Sequence, residues 1–161
     1  MNVFISYSAK DASFVRKIAD GIRPEVTSVC WWDDSKKLGE ESWKQIFGWI
    51  DDADLVLAII TGNVLQRSLA VGNEIGYAKA KGKPIIPLIT DEKDRFDLGC
   101  LTGLVDQYID EADPQSGIDA IKRHIQNEHL PTVAGQQSEV DWGGALTIIG
   151  IIGMIWVGTR K

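Results

Sequence analysis

A serine and a tyrosine follow the first apolar segment of the chain. The run Val3–Ser6 is apolar up to its last residue, and Tyr7 comes next. Parallel α/β sheets bind ligands in the crevice at the carboxyl ends of their strands. If Val3–Ser6 is a strand, the hydroxyls of Ser6 and Tyr7 lie at this crevice and can contact a polar ligand. The alternative is that both side chains only cap the loop after the strand.

Glu74 is a second candidate, because it offers a single carboxylate between two glycines. Gly72 and Gly76 flank it in a segment with helical character, and a glycine inside a helix costs about 1 kcal/mol relative to alanine. The pair indicates close approach by a ligand or by the neighbouring sheet. Ser68 is either a contact to the same ligand or the N-cap of the helix. For any single glutamate, the default is a solvated position on the helix surface.

Further candidates lie at the end of the second apolar run, Thr27–Trp32. Trp31 and Trp32 alternate across this expected strand and so face opposite sides of the sheet. Either can stack on a base, at least one belongs to the core, and we take Trp32 as the binding candidate. Lys36 lies in the polar loop Asp33–Gly39, where it either meets a pyrophosphate or is merely solvated.

Composition excludes several classes of function. The 161 residues carry a net charge of −6, which disfavours nucleic-acid binding, since binding to phosphates needs an excess of basic residues. The two histidines lie late in the chain, so a histidine-based catalytic triad or zinc site is not expected. Cys30 and Cys100 lack the spacing of metal ligands and are expected to be reduced thiols.

Strand and helix patterns alternate along the chain, which predicts a parallel sheet with helices on both faces. The predicted strands are Val3–Ser6, Thr27–Trp32, Leu55–Ile60, Pro84–Ile89 and Leu104–Ile109. The predicted helices are Asp11–Ile22 with Asp11 as N-cap, Glu40–Asp51 with Trp43 in the core, one helix ending near Lys81–Lys83, and Pro114–Gln126. The sequence shows no internal repeat.

The C-terminal part has a different character. Residues 128–141 form a polar linker, and residues 142–159 follow without a charged residue. About 18 residues of helix span roughly 27 Å, just enough for a bilayer core. We therefore predict a single-pass membrane helix, with a buried core helix as the alternative. Arg160 and Lys161 favour the cytoplasmic side for the end of the chain, but two residues are a weak signal, and we expect the domain itself to be cytoplasmic.

Four sequence blocks, in this order, are similar to a Toll/interleukin-1 receptor (TIR) domain. They are Val3-Phe4-Ile5-Ser6-Tyr7-Ser8, Trp32-Asp33-Asp34 with Lys36-Lys37-Leu38-Gly39, Ala53 to Thr61, and Ser68 to Glu74. The resemblance covers residues 1–127. It implies a flavodoxin-like fold with five parallel strands. Residues 70 and 71 are Ala-Val, where the family often has Trp-Cys.

The resemblance also implies a function. Enzymatic TIR domains cleave NAD⁺ at the nicotinamide–ribose bond, and adaptor TIR domains only assemble with one another. For an enzyme, the resemblance implies Glu74 as the catalytic residue and NAD⁺ as substrate, with no separate cofactor or metal. Ser68 matches the family's serine, and Ser6, Tyr7, Trp32 and Lys36 are the further substrate-binding candidates.

The family's loop after the second strand, here Asp33–Gly39, mediates self-association. Bacterial relatives of this compact type act in anti-phage immunity, which implies a second defence protein as a partner.

The chemistry is consistent with a single carboxylate. Nicotinamide leaves NAD⁺ as a neutral molecule from a cationic group and needs no proton, so the paired carboxylates of an ordinary glycosidase are unnecessary. One carboxylate beside the ribose can stabilise the developing oxocarbenium ion. We expect Glu74→Gln to stop cleavage without changing stability, as a surface substitution does. A non-catalytic membrane-tethered scaffold and a membrane-disrupting tail are the alternatives, and the sequence leaves hydrolysis and cyclisation both open.

Overall fold

Five parallel strands form a single sheet in the order β2-β1-β3-β4-β5. In this computed structural model, the residues described are 1–66, 68–93 and 99–129. The strands are β1 (Asn2–Ser6), β2 (Ser28–Cys30), β3 (Leu55–Ile60), β4 (Ile85–Ile89) and β5 (Gln107–Tyr108). This is the flavodoxin-like strand order, in which the direction of winding reverses between β1 and β3. The predicted flavodoxin-like α/β sheet of five parallel strands is confirmed.

Helices connect the strands in alternation. They are α1 (Ala12–Ile22), α2 (Trp32–Ser35), α3 (Ser42–Asp52), α4 (Gly62–Gln66), α5 (Ser68–Ala80) and α6 (Gln115–His129). Short 3₁₀ turns occur at Ala9–Asp11, Arg23–Glu25 and Gly99–Leu101. The first compact unit, Met1–His129, ends with α6, so this helix extends into the stretch interpreted as a linker.

Helices cover both faces of the sheet. Alternate residues of each strand point to opposite faces, so both sets are buried. On one face, Val3 and Ile5 of β1 pack in the cluster that includes residues of α1 and α6. On the other face, Phe4 of β1 packs with residues of α3 and α5. All six residues of β3 are buried, as expected for a central strand with helices on both sides.

The second strand ends earlier than predicted. Strand β2 stops at Cys30, and Trp32 begins the short helix α2 instead of ending a strand. The backbone N–H groups of Asp34 and Ser35 bond to the Trp31 carbonyl oxygen at 3.2 and 3.0 Å. Acidic residues in the first turn of a helix interact favourably with its dipole, and two of them follow Trp32. The predicted polar loop Asp33–Gly39 is therefore helical as far as Ser35.

Asp11 precedes α1 but does not cap it through its side chain. Its buried carboxylate instead accepts hydrogen bonds from Thr61 Oγ1 at 2.7 Å and Asn63 Nδ2 at 2.5 Å. The N-cap prediction was wrong, because these long-range bonds tie the start of α1 to the end of β3. The helix predicted after β3 is described as α4 and α5, on either side of residue 67, which lies outside the described residues, and α5 ends at Ala80 close to the predicted end.

Residues 142–159, predicted to cross a membrane, lie outside the described residues. Within 1–66, 68–93 and 99–129, none of the helices has the length and apolar character of a membrane span.

Candidate functional site

A cavity of about 320 Å³ opens at the carboxyl end of β1. The strand winding reverses next to β1, which is where α/β sheets of this type bind their ligands. The residues lining this cavity, which we call the Glu74 pocket, are Phe4, Ile5, Tyr7, Ala9, Trp32, Ser42, Trp43, Ile46, Ala70 and Glu74. Most of these side chains are apolar or aromatic.

Glu74 on α5 is held at this pocket by the end of β1. Its side chain is only 8% exposed, and its Oε2 accepts a hydrogen bond of 2.6 Å from Ser6 Oγ. The two residues are 68 positions apart in the chain. Because α5 packs across the sheet near the end of β1, the first strand and the fifth helix meet at this one polar contact.

Burial changes the acidity of Glu74. The loss of hydration disfavours the charged form and raises the pKa of the carboxyl to about 7, while the hydrogen bond from Ser6 lowers it in part. Among the lining residues in the described part of the chain, Glu74 alone carries a carboxylate. The pocket therefore contains one carboxyl that exchanges its proton near neutral pH.

Tyr7 links the pocket to helix α2. Its hydroxyl donates to Asp33 Oδ2 at 2.7 Å and accepts from the Asp33 backbone N–H at 3.3 Å. Burial, followed by the hydrogen bond to Asp33, raises the pKa of Tyr7 well above its usual value, so the phenol stays neutral. Lys36 pairs with the same aspartate at 3.4 Å. These contacts fix the start of the connection between β2 and α3.

The arrangement suits a reaction in which positive charge develops beside one carboxylate. Aromatic and aliphatic side chains line most of the pocket, and a fixed negative charge in apolar surroundings acts more strongly than in solution. Retaining and inverting glycosidases use two carboxyl groups, and the described lining offers one. The pocket therefore matches a substrate whose leaving group departs without a second acid.

Comparison with known proteins identifies the family and agrees with the fold. The family model described as TIR domain matches residues 3–125. The chain belongs to the TIR domain family. The solved structure of the CMP N-glycosidase BcmB from Clostridium botulinum is similar to this TIR domain with a TM-score of 0.57 and 20% sequence identity. That match covers 77% of this chain and 99% of the other, and at this identity it shows the fold alone. No curated protein matches the chain significantly.

The structure brings four of the predicted site residues of this TIR domain together. Tyr7, Trp32 and Glu74 line the pocket, and Ser6 reaches it through its bond to Glu74. Lys36 is not among the lining residues. Ser68 is the first residue of α5, and its side chain lies outside the described residues, so both roles considered for it stay predictions.

Sequence reasoning missed Ser42 and Trp43, which line the pocket from the start of α3. Trp43 was predicted to be core, but it is 37% exposed. The predicted order of strands and helices could have identified these two residues. In a βαβ unit, each helix begins at the edge where the preceding strand ends, so its first residues face the same crevice as Ser6 and Tyr7.

Gly72 and Gly76 do not mark close packing of α5 against the sheet, so this part of the prediction was wrong. Both residues are exposed, and a Cβ added to either would meet no described atom within 4 Å. Glu74 was also treated as a surface residue, whereas it is buried. Its burial, and not the flanking glycines, distinguishes it from an ordinary helix glutamate.

Proposed function

We propose that this TIR domain cleaves the N-glycosidic bond between nicotinamide and ribose in NAD⁺. The observation that carries the proposal is the buried carboxyl of Glu74, which is hydrogen-bonded to Ser6 and lines a largely apolar pocket. Membership of the TIR family supports it. The similar structure is named for the cleavage of an N-glycosidic bond in another nucleotide, CMP.

In the proposed reaction, the bond from the ribose carbon C1′ to the nicotinamide nitrogen breaks, and the electron pair leaves with nicotinamide. The substrate nitrogen is already cationic, so nicotinamide departs neutral without receiving a proton. The ribose carbon becomes an oxocarbenium ion, which ionised Glu74 stabilises. Attack by water gives ADP-ribose and releases a proton, whereas attack by a nucleophile of the substrate itself gives a cyclic product.

The size and lining of the pocket support a position for the substrate. Ligand pockets commonly measure about 300–1,000 Å³, and this one lies at the lower end with about 320 Å³. It suits the nicotinamide–ribose half better than the whole dinucleotide. Trp32 and Trp43 offer aromatic surface for stacking on a planar ring.

The test is turnover of NAD⁺ by the full-length protein in detergent or reconstituted in membranes, followed by chromatography. Glu74→Gln keeps the shape of the side chain and removes its charge, and we expect a loss on the order of 10²–10³ in kcat. Glu111→Gln is the matched control, since Glu111 is exposed. Equal turnover by wild type and Glu74→Gln would show that the site assignment is wrong. Absence of wild-type turnover after assembly on membranes would favour the scaffold function.

A second candidate function is cleavage of a nucleotide with a neutral base, such as CMP. Two observations favour it: the similarity to a CMP N-glycosidase and the Glu74 pKa of about 7. A neutral base leaves more easily when it is protonated, and half of the Glu74 carboxyls carry a proton at that pH. Incubation with CMP and NAD⁺ in parallel separates the two substrates.

We further propose that residues 142–159 anchor the protein in a membrane with the TIR domain in the cytoplasm. The run is uncharged and about as long as a bilayer core requires. Activation by self-association, a second defence protein as partner and a role in anti-phage immunity are proposed on the family resemblance alone.

A further inference from the structure

A buried glutamine on α3 binds the backbone of the loop that precedes the helix. Gln45 is 7% exposed. Its Nε2 donates to the carbonyl oxygens of Lys37 at 2.9 Å and Glu40 at 3.2 Å, and its Oε1 accepts from the Lys37 N–H at 2.6 Å. One side-chain amide thus satisfies three backbone groups that lie outside any helix or strand.

The loop held by Gln45, residues 36–41, joins two parts of the Glu74 pocket. Trp32 lines the pocket from α2, before the loop, and Ser42 and Trp43 line it from α3, after the loop. Gly39 adopts φ of 85° within the loop, a conformation that glycine adopts without steric cost. The loop therefore joins the two parts of the pocket wall that carry Trp32 and Trp43.

Buried or part-buried hydrogen bonds hold the connection between β2 and α3 near both of its ends. At the beginning of the connection, Tyr7, which lines the pocket, bonds to Asp33. Nearer the end of the connection, Gln45 bonds to Lys37 and Glu40. The ammonium group of Lys36 pairs with Asp33 near the surface, and a partly exposed ion pair of this kind contributes little. The buried amide is consequently the stronger tie at the α3 end.

We infer that Gln45 is a positioning residue for the Glu74 pocket, which keeps loop 36–41 in place so that Trp32 and Trp43 hold the substrate between them. This inference deepens the proposed function and rests on it for the kinetic part only. It assigns Gln45 no contact with the substrate. Its role is to lower the conformational freedom of the pocket wall before the substrate binds.

Two variants test the role of the amide. Gln45→Glu keeps the length of the side chain but replaces two donated hydrogen bonds by a charge facing two carbonyl oxygens. Gln45→Met keeps the length and removes all three bonds. Lys44→Met is the control, because it makes a similar replacement at the adjacent, exposed residue of the same helix. Urea unfolding of each full-length variant in detergent establishes that it is folded.

The first measurement is limited trypsin digestion, with cleavage after Lys36 and Lys37 followed by mass spectrometry. We expect both Gln45 variants to be cut there about tenfold faster than wild type and Lys44→Met, the equivalent of about 1.4 kcal/mol of lost loop stability. Unchanged cleavage in both Gln45 variants would overturn the inference, whether or not the protein turns over NAD⁺.

The second measurement is steady-state kinetics with NAD⁺. We expect KM to rise about tenfold in the Gln45 variants while kcat stays within about twofold, because ground-state and transition-state binding are weakened equally. Faster digestion with unchanged KM would show a loop contact without a positioning role. If wild type shows no turnover, the proposed function fails, and digestion alone then decides whether Gln45 holds the loop.

Discussion

The carboxyl group of Glu74 loses its hydration when the chain folds, and this cost is linked to its proposed chemistry. Burial raises its pKa to about 7 against an ordinary value of 4.5. The hydrogen bond from Ser6 compensates only in part. A buried carboxylate is unfavourable for stability, and such groups cluster at functional sites.

Turnover is therefore expected to depend on pH near neutrality. If ionised Glu74 stabilises the oxocarbenium ion of NAD⁺, kcat/KM rises about tenfold per pH unit below pH 7 and levels off above it, since kcat/KM reports the free enzyme. A nucleotide with a neutral base needs protonated Glu74 as the acid, so its kcat/KM should fall as the pH rises through 7. Ser6→Ala removes a bond that lowers the pKa, so its midpoint should lie at higher pH. A profile for NAD⁺ that is flat from pH 5 to 9 would contradict the role of Glu74.

Stability is expected to depend on pH through the same residue. Because the pKa is higher in the folded state, the unfolded state loses its proton first, and stability falls as the pH rises from 4.5 to about 7. The shift corresponds to about 3 kcal/mol. Glu74→Gln should equal wild type near pH 4 and be more stable by up to about 3 kcal/mol at pH 8, measured by urea unfolding. Glu111→Gln should show no such trend, and a pH-independent difference for Glu74→Gln would contradict the raised pKa.

At the scale of elements, loop 36–41 presents an apolar side chain to solvent. Leu38 is 93% exposed, so it contributes almost nothing to the folded monomer. The backbone beneath it is tied down by Gln45. This combination matches a contact for self-association, the role that the family resemblance gives to this loop.

We expect Leu38→Asp to weaken self-association and turnover together while changing the free energy of unfolding by less than about 0.5 kcal/mol. Sedimentation velocity and the dependence of turnover on protein concentration measure the effect. Val105→Asp is the matched control, because Val105 is an apolar residue with 90% exposure in a different part of the domain. If the Leu38→Asp variant associates as strongly as wild type, loop 36–41 does not mediate self-association.

At the scale of the whole molecule, the compact unit Met1–His129 is distinct from the C-terminal part of the chain. Truncation after Gln137 should give protein that stays in solution without detergent, whereas the full chain should sediment with membranes. The double substitution Ile151→Arg and Ile152→Arg should also release it, since an arginine near the middle of a membrane helix costs about 2.5–3.5 kcal/mol. Full-length protein in the soluble fraction would show that residues 142–159 are not an anchor.

The sequence by itself determined the fold class. Alternating strand and helix patterns, with a continuous apolar run at Leu55–Ile60, require a parallel sheet covered on both faces. It also singled out Ser6, which ends a strand, and the family resemblance implied Glu74 as the catalytic residue. Hydrophobic periodicity is a local property, and it predicts local elements and their apolar faces well.

Only the tertiary structure decided which residues meet. Periodicity gives the apolar face of a helix but not the element that covers it, so Trp43 was predicted to be core although it lines a pocket. The contact between Ser6 and Glu74, the Tyr7–Asp33 bond and the Gln45 contacts depend on how elements stack. The same packing buries Glu74 and sets its pKa, because desolvation arises from neighbours that lie far away in the sequence.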